Sequence, residues 1–353
     1  MDGLLVVDKP SGPTSHDVVA RLRRALRETR IGHTGTLDPM ATGVLLLVVG
    51  KATRLAKFLS ASDKSYDAVV RFGFATDTAD AQGQPLGPIT DRGMPSRDAI
   101  DAALDAFRGT FMQQPPAFSA KKIDGQRSYK LARNARRRKP SSLDMARDDP
   151  ERVEGSRSVV SDPPDLPALP GLPAPCSVTT HRLEIVSTEA DTVTLRVDCS
   201  AGFYIRSLAH DLGERLGVGA HLTALRRTRV GDFGLERAVH LDAVERDPIR
   251  AAGSMVPLRD MLPHLATVTL TAAGVDRAKH GRDLGPEDIT PHAAISRERS
   301  TPSPQFPGPS PESPVPSTAS LHFVKLLDPS GELIAIAQPT AAGSLLHPAL
   351  VLV

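Results

Sequence analysis

Two proline-rich stretches limit how this chain can fold. Residues 140–175 hold eight prolines and no Phe, Tyr or Trp, and 16 of the 25 residues from Ser296 to Ser320 are Pro, Ser or Thr. Segments of that composition bury too little apolar surface to offset the entropy of ordering them. Both are expected to be flexible insertions, which leaves three blocks for the core, roughly 1–139, 176–295 and 321–353. At 353 residues, 40% of them hydrophobic, the chain can build a sizeable core without a disulfide or metal staple. The longest uninterrupted aliphatic run, Val44 to Val49, has six residues. A membrane-spanning helix needs about 20, so no membrane association is expected. Asp8 and Lys9 interrupt the N-terminal apolar run too early for an export signal. Cys176 and Cys199 make neither a disulfide framework nor a zinc site. The expectation is a soluble, cytoplasmic protein.

The formal net charge of +2 conceals three basic clusters: Arg21-Leu22-Arg23-Arg24, Arg136-Arg137-Arg138-Lys139 and Arg226-Arg227-Thr228-Arg229. Any one of them alone reads equally well as a solvated helix face. Three on a near-neutral chain strengthen the case for a polyanionic partner.

The apolar pattern alternates between strand and helix. Leu4 to Val7 suits a buried strand, and Thr14 or Ser15 then caps a helix carrying Val18, Val19, Leu22, Ala25 and Leu26 on one face. Val44 to Val49 is a second buried strand. Residues 66–74 alternate as a half-buried strand does. Ser96 caps a helix containing Ile100, Ala103 and Leu104; Val193, Leu195, Val197 and Cys199 alternate; Leu208, Leu212 and Leu216 mark a further helix. No regular βαβ rhythm appears, so the predicted class is α+β, a mixed and largely antiparallel sheet with flanking helices. No Gly-x-Gly-x-x-Gly follows a strand and no Walker loop occurs, which removes most support for dinucleotide and nucleotide-phosphate enzymes.

The segment with most chemical promise is Gly32-His33-Thr34-Gly35-Thr36-Leu37-Asp38-Pro39-Met40-Ala41-Thr42-Gly43. Its glycines permit positive φ and close ligand approach, and the Asp-Pro pair restricts the backbone of the acid. On composition alone the segment reads first as a tight turn in which Asp38 bonds nearby amides. One carboxylate with one histidine does not define a reaction.

The same run resembles the signature loop of the TruB-type pseudouridine synthases, and further motifs agree in order. Gly3 to Ser15 (GLLVVDKPSGPTS) is similar to that family's opening motif, Lys64-Ser65-Tyr66 to its tyrosine strand, and Thr76 to Gly83 (TDTADAQG) to the acidic turn after it. Gln114 to Tyr129, Gly202 to Leu208 (GFYIRSL) and Leu225-Arg226-Arg227 complete the set. The resemblance implies an isomerase that converts uridine to pseudouridine in the T-arm of tRNA, at position 55. No cofactor and no metal are implied, because the C1′–N1 bond is exchanged for C1′–C5 with no net redox change.

By this resemblance Asp38 is the catalytic acid residue, ionised so as to act as nucleophile at C1′ or base at C2′. Arg206 is the guanidinium beside it, and Asp80 holds that guanidinium in position. Tyr66 stacks on the target base and takes part in removing the C5 proton; a packed core residue is its plainer reading. Tyr204 and Leu225 are pocket walls, and Lys9 and Pro10 support the loop. His33 fills the space left by the flipped base, against the alternative of a histidine that only shapes a turn. Arg21, Arg23, Arg24, Arg226, Arg227 and Arg229 are candidates for phosphate contacts.

The implied organisation is a catalytic domain over 1–255, interrupted by 140–175, and a small β-rich PUA-like RNA-binding domain over 256–353, interrupted by 296–320. A β-subdomain that merely packs on the main body is the alternative for the second. The proline-rich segment replaces a modest connection after the Tyr129 block, a departure that bears on RNA contacts and not on the chemistry. The expected partner is the T-arm stem-loop of tRNA, bound by a monomer with no obligate protein partner. The competing function is an RNA-binding, tRNA-folding chaperone whose catalysis is incidental. A guide-RNA-dependent relative ranks lower, since the larger accessory tail expected of it is absent.

Overall fold

The computed structural model describes residues 1–87, 93–116, 122–123, 126–127, 173–290, 323–340 and 345–352. The cluster Arg136–Lys139, the whole of 296–320, most of 140–175 and part of the Gln114–Tyr129 block lie outside the described residues. The chain divides into two compact units, one made of Met1–Ser62 with Arg227–Val353, the other of Asp63–Arg226.

In the first unit, strand Gly3–Lys9 pairs antiparallel with Thr42–Val49 from Gly3↔Val49 to Lys9↔Gly43, and parallel with Val239–His240. Strand Ile31–His33 lies antiparallel on the other side of Thr42–Val49. All four residues of the predicted Leu4–Val7 run are buried, as is each residue from Val44 to Val49. Helix Ser15–Leu26 starts at Thr14, whose hydroxyl accepts from the Asp17 amide while the Asp17 carboxylate accepts from the Thr14 amide. This reciprocal cap satisfies two of the free donors at the helix start. It also leaves Ser15 available for another task. Val18, Val19, Leu22 and Leu26 form the buried face.

A small C-terminal sheet belongs to the same unit. Ala266–Thr269 runs parallel to Val324–Leu327, followed by the antiparallel strands Leu333–Pro339 and Leu346–Val351. Leu333, Ile336 and Leu352 share one apolar cluster with Leu4, Val6, Val44, Leu46 and Val48. The other face covers Leu270, Ala278, Leu284 and Leu326.

In the second unit the strand order is Lys64–Phe72, Thr192–Cys199, Cys176–Glu189, Gly109–Gln113, all antiparallel. Val193, Leu195, Val197 and Cys199 are fully buried, as their alternation predicts. The first strand stops at Phe72 and does not reach residue 74. Gly73 takes φ +111° there, which ends the extended run. Ser96 caps helix Arg97–Leu104 by accepting from the Ala99 amide, and helix Ile205–Leu216 ends on Gly217 in the left-handed region. The architecture is thus the α+β, largely antiparallel arrangement that the periodicity predicts.

Candidate active site

The first unit carries Lys9, Pro10, His33 and Asp38. The second carries Tyr66, Asp80, Tyr204, Arg206 and Leu225.

The Asp38 loop joins strands Ile31–His33 and Thr42–Val49, and buried anchors hold it on both sides of the acid. Leu37, just before Asp38, is buried; its amide donates to Ser15 Oγ at 2.9 Å and its carbonyl accepts from that hydroxyl at 3.1 Å. Ala41 is fully buried, and its amide donates to the Asp38 carbonyl at 3.1 Å, which closes the turn. The Gly12 amide donates to the Pro39 carbonyl at 2.8 Å. Asp38 itself is half-buried. Fixing the residues on either side of a carboxylate removes backbone freedom that would otherwise be lost at the moment of reaction.

Lys9 lies beneath this loop, fully buried. Its ammonium donates to the carbonyls of Pro10 at 2.9 Å, Pro39 at 3.2 Å and Ala41 at 2.7 Å, which uses all three of its protons. Burial pushes the lysine down to about 8, the Asp38 charge pulls it back up, and the Arg227 charge lowers it further. Pro10 is exposed and contributes its carbonyl to this set. The half-buried His33 meets His16 edge to face, with ring centroids 5.1 Å apart.

Sequence reasoning placed Arg227 among the phosphate contacts, and the structure corrects that. Arg227 is 2% exposed; its Nε donates to the Val44 carbonyl at 2.7 Å and its Nη2 to the Gly35 carbonyl at 3.0 Å. A guanidinium so little exposed, with two of its donors committed to main-chain carbonyls, does not present itself to a phosphate. Arg21 is likewise engaged, its Nε donating to Glu245 at 2.6 Å, and the Arg23 guanidinium donates to the Ile31 carbonyl at 2.7 Å. Ser15, expected only as a possible helix cap, clamps the loop at Leu37. Its sequence signals are that it closes the Gly3–Ser15 motif and directly follows the threonine that takes the cap.

The second unit contains a buried ion pair. Arg206, in the first turn of helix Ile205–Leu216, is 3.7 Å from the Asp80 carboxylate and donates to the Thr78 carbonyl at 3.1 Å. Both side chains are buried. Asp80 accepts in turn from the Thr78 hydroxyl at 2.6 Å and the Gln82 amide at 3.0 Å. Buried charges persist when they are paired and their remaining lone pairs are filled. Tyr204 is fixed by two bonds to one side chain: its amide donates to Gln113 Oε1 at 2.8 Å and its carbonyl accepts from Gln113 Nε2 at 3.0 Å. Tyr66 and Leu225 are buried, with Tyr66 opposite Val197 in the sheet. Gln113 is thus a supporting residue that sequence reasoning missed. Among the described residues no cluster of His, Cys, Asp and Glu is suited to a metal ion, and no helix is long and apolar enough to cross a membrane.

Solved structures and curated relatives agree on what this architecture is. The chain aligns over 99% of its length with 85% of a chain from the crystal structure of a Cbf5-Nop10-Gar1 complex, at a TM-score of 0.63 and 25% identity. A chain from an H/ACA RNP bound to a substrate RNA containing 2′-deoxyuridine shares the fold at a TM-score of 0.62. These likenesses define the class as the pseudouridine synthase fold. At the sequence level, the model for the N-terminal domain of TruB family pseudouridylate synthases matches residues 23–146, and that for the tRNA pseudouridylate synthase B C-terminal domain matches 206–265. The tRNA pseudouridine synthase B of Solibacter usitatus is 35% identical over the full length of both chains. That of Mycobacteroides abscessus is 42% identical over 81% of this chain and 86% of its own. The chain belongs to the TruB family of pseudouridylate synthases.

Proposed function

We propose that this protein converts uridine to pseudouridine in the T-arm of tRNA, at position 55, as a monomeric cytoplasmic enzyme that needs neither metal nor redox cofactor. The observation that carries the reading is the Asp38 loop: a half-buried carboxylate between two buried anchors, above the fully buried Lys9 ammonium. The curated relatives, which bear the name tRNA pseudouridine synthase B, support the choice of RNA. In this reading the target nucleotide leaves its stack at a cost of roughly a few kcal/mol, and His33 fills the space it vacates. Asp38 attacks C1′ or removes a proton at C2′, and the C1′–N1 bond breaks. The freed base turns and C5 joins C1′, with the Asp38–C1′ bond breaking on the first route or the proton returning to C2′ on the second; the proton on C5 is lost and N1 ends protonated, so every atom of uridine except exchanged hydrogens is retained. Tyr66 stacks on the base and assists removal of the C5 proton. Arg206 supplies the guanidinium and Asp80 holds it. Tyr204 and Leu225 are walls of the pocket, and Lys9 and Pro10 support the loop. Residues 1–255 form the catalytic domain and 256–353 a PUA-like RNA-binding domain.

The test is tritium release from a T-arm stem-loop labelled at C5 of uridine. Wild type releases tritium; Asp38→Asn loses at least ~1,000-fold in rate, a size typical for loss of an acting nucleophile or base, and keeps its RNA affinity. Continued release in that variant removes Asp38 from the mechanism. Binding and refolding of tRNA by wild type without any release points instead to a chaperone.

A further inference from the structure

We propose that Arg227 is a positioning residue for this isomerisation, tying both ends of the Asp38 loop to strand Ala220–Val230 and governing turnover, not RNA affinity. The inference rests on the activity proposed above. One guanidinium reaches the carbonyls of Gly35 and Val44, which lie on opposite sides of Asp38 in the chain. The main chain of the same residue adds a second hold. Gly43 has φ +99°, and a Cβ there would overlap the Arg227 carbonyl, so the end of the loop lies flush against this strand. Arg227 is among the largest fully buried side chains of the protein. A cation in that position is costly unless its donors are satisfied, and an apolar residue would fill the same volume more cheaply. What an arginine adds is a rigid planar fork able to bond two diverging carbonyls at once, which a lysine ammonium on a flexible stem does poorly.

The charge has a consequence separate from the hydrogen bonds. Lys9 meets Asp38 from the loop and Arg227 from the strand, and the two push its proton affinity in opposite directions. Removing the Arg227 charge therefore makes Lys9 hold its proton to higher pH.

The experiment compares wild type, Arg227→Gln and Arg227→Lys. It measures single-turnover tritium release and stem-loop Kd between pH 6 and 10, with thermal unfolding to confirm the fold. Arg227→Gln is expected to lose about 100-fold in rate, the scale of a loop misplaced by about 1 Å, with Kd within ~3-fold of wild type. Its alkaline fall-off moves to higher pH. Arg227→Lys recovers part of the rate. An unchanged rate with a weakened Kd overturns the proposal in favour of a phosphate contact, and a rate loss that follows lost thermal stability, with no recovery in Arg227→Lys, overturns it in favour of simple packing. If Arg227→Gln does not fold, Arg227→Lys decides, and a rate within twofold of wild type overturns the proposal. Absence of release by wild type itself counts against the activity and not against the role of Arg227.

Discussion

Lys9 shows how one residue can work against stability and for function. Its ammonium is buried and its pKa is lowered to about 8, mainly by desolvation. The unfolded chain, with an ordinary lysine, keeps the proton up to about 10.5. Between those values the unfolded state binds more protons than the folded one, so stability rises with pH across that window. Compared with Lys9→Met, wild type is expected to gain roughly 2 kcal/mol between pH 7 and 9.5 in urea unfolding. Over the same range its tritium release falls, as the three carbonyls of Pro10, Pro39 and Ala41 lose the charge that organises them. Opposite trends in stability and rate identify the buried cation; a stability difference from Lys9→Met that does not change with pH would show that Lys9 stays protonated.

At the scale of elements, helix Ile205–Leu216 carries more than a packing face. Its first turn holds Arg206, Tyr204 precedes it, and Asp211 sits in its middle. Burial pushes the Asp211 carboxyl up to about 6, with Glu214 adding to the rise and His210 opposing it. A raised folded-state value means that the folded chain binds the extra proton between about pH 4 and 6. The associated stability is present below that window and is lost as pH rises through it. Asp211→Asn is therefore expected to be more stable than wild type at pH 7.5 by roughly 3 kcal/mol, with most of the gap closed near pH 4, as read from urea midpoints. A gap independent of pH would trace the effect to packing. The leucine spacing predicts this helix from sequence alone. The half-buried acid within it carries no such signal, because its desolvation depends on what packs across from the helix.

For the whole molecule, the telling feature is the apolar cluster shared by the C-terminal sheet and strands Gly3–Lys9 and Thr42–Val49. Leu333, Ile336 and Leu352 each bury most of a side chain there, worth about 1.5–3 kcal/mol apiece. Their sum, roughly 5 kcal/mol or more, is comparable with the net stability of a typical domain. A chain cut after Leu265 is expected to lose its cooperative unfolding transition or to aggregate. A soluble truncation that melts within ~2 °C of the full chain would show that the sheet packs without contributing to that core.

Local periodicity and turn chemistry alone determined a good deal of this protein. The strands at Leu4 and Val44, the alternation through Cys199, the caps at Thr14 and Ser96 and the family motifs around Asp38 all follow from neighbours in sequence. Such signals are short-ranged, since a strand face repeats every two residues and a cap acts within one turn. Tertiary structure alone decided which charges are buried. Arg227 reads as one of a basic run, and only the meeting of its strand with the Asp38 loop makes it an internal brace. Ser15 and Gln113 acquire their roles through partners 22 and 91 residues away. The physical reason is desolvation: the cost of a buried charge and the value of its hydrogen bonds depend on how much water the surrounding fold excludes, and no stretch of sequence carries that by itself.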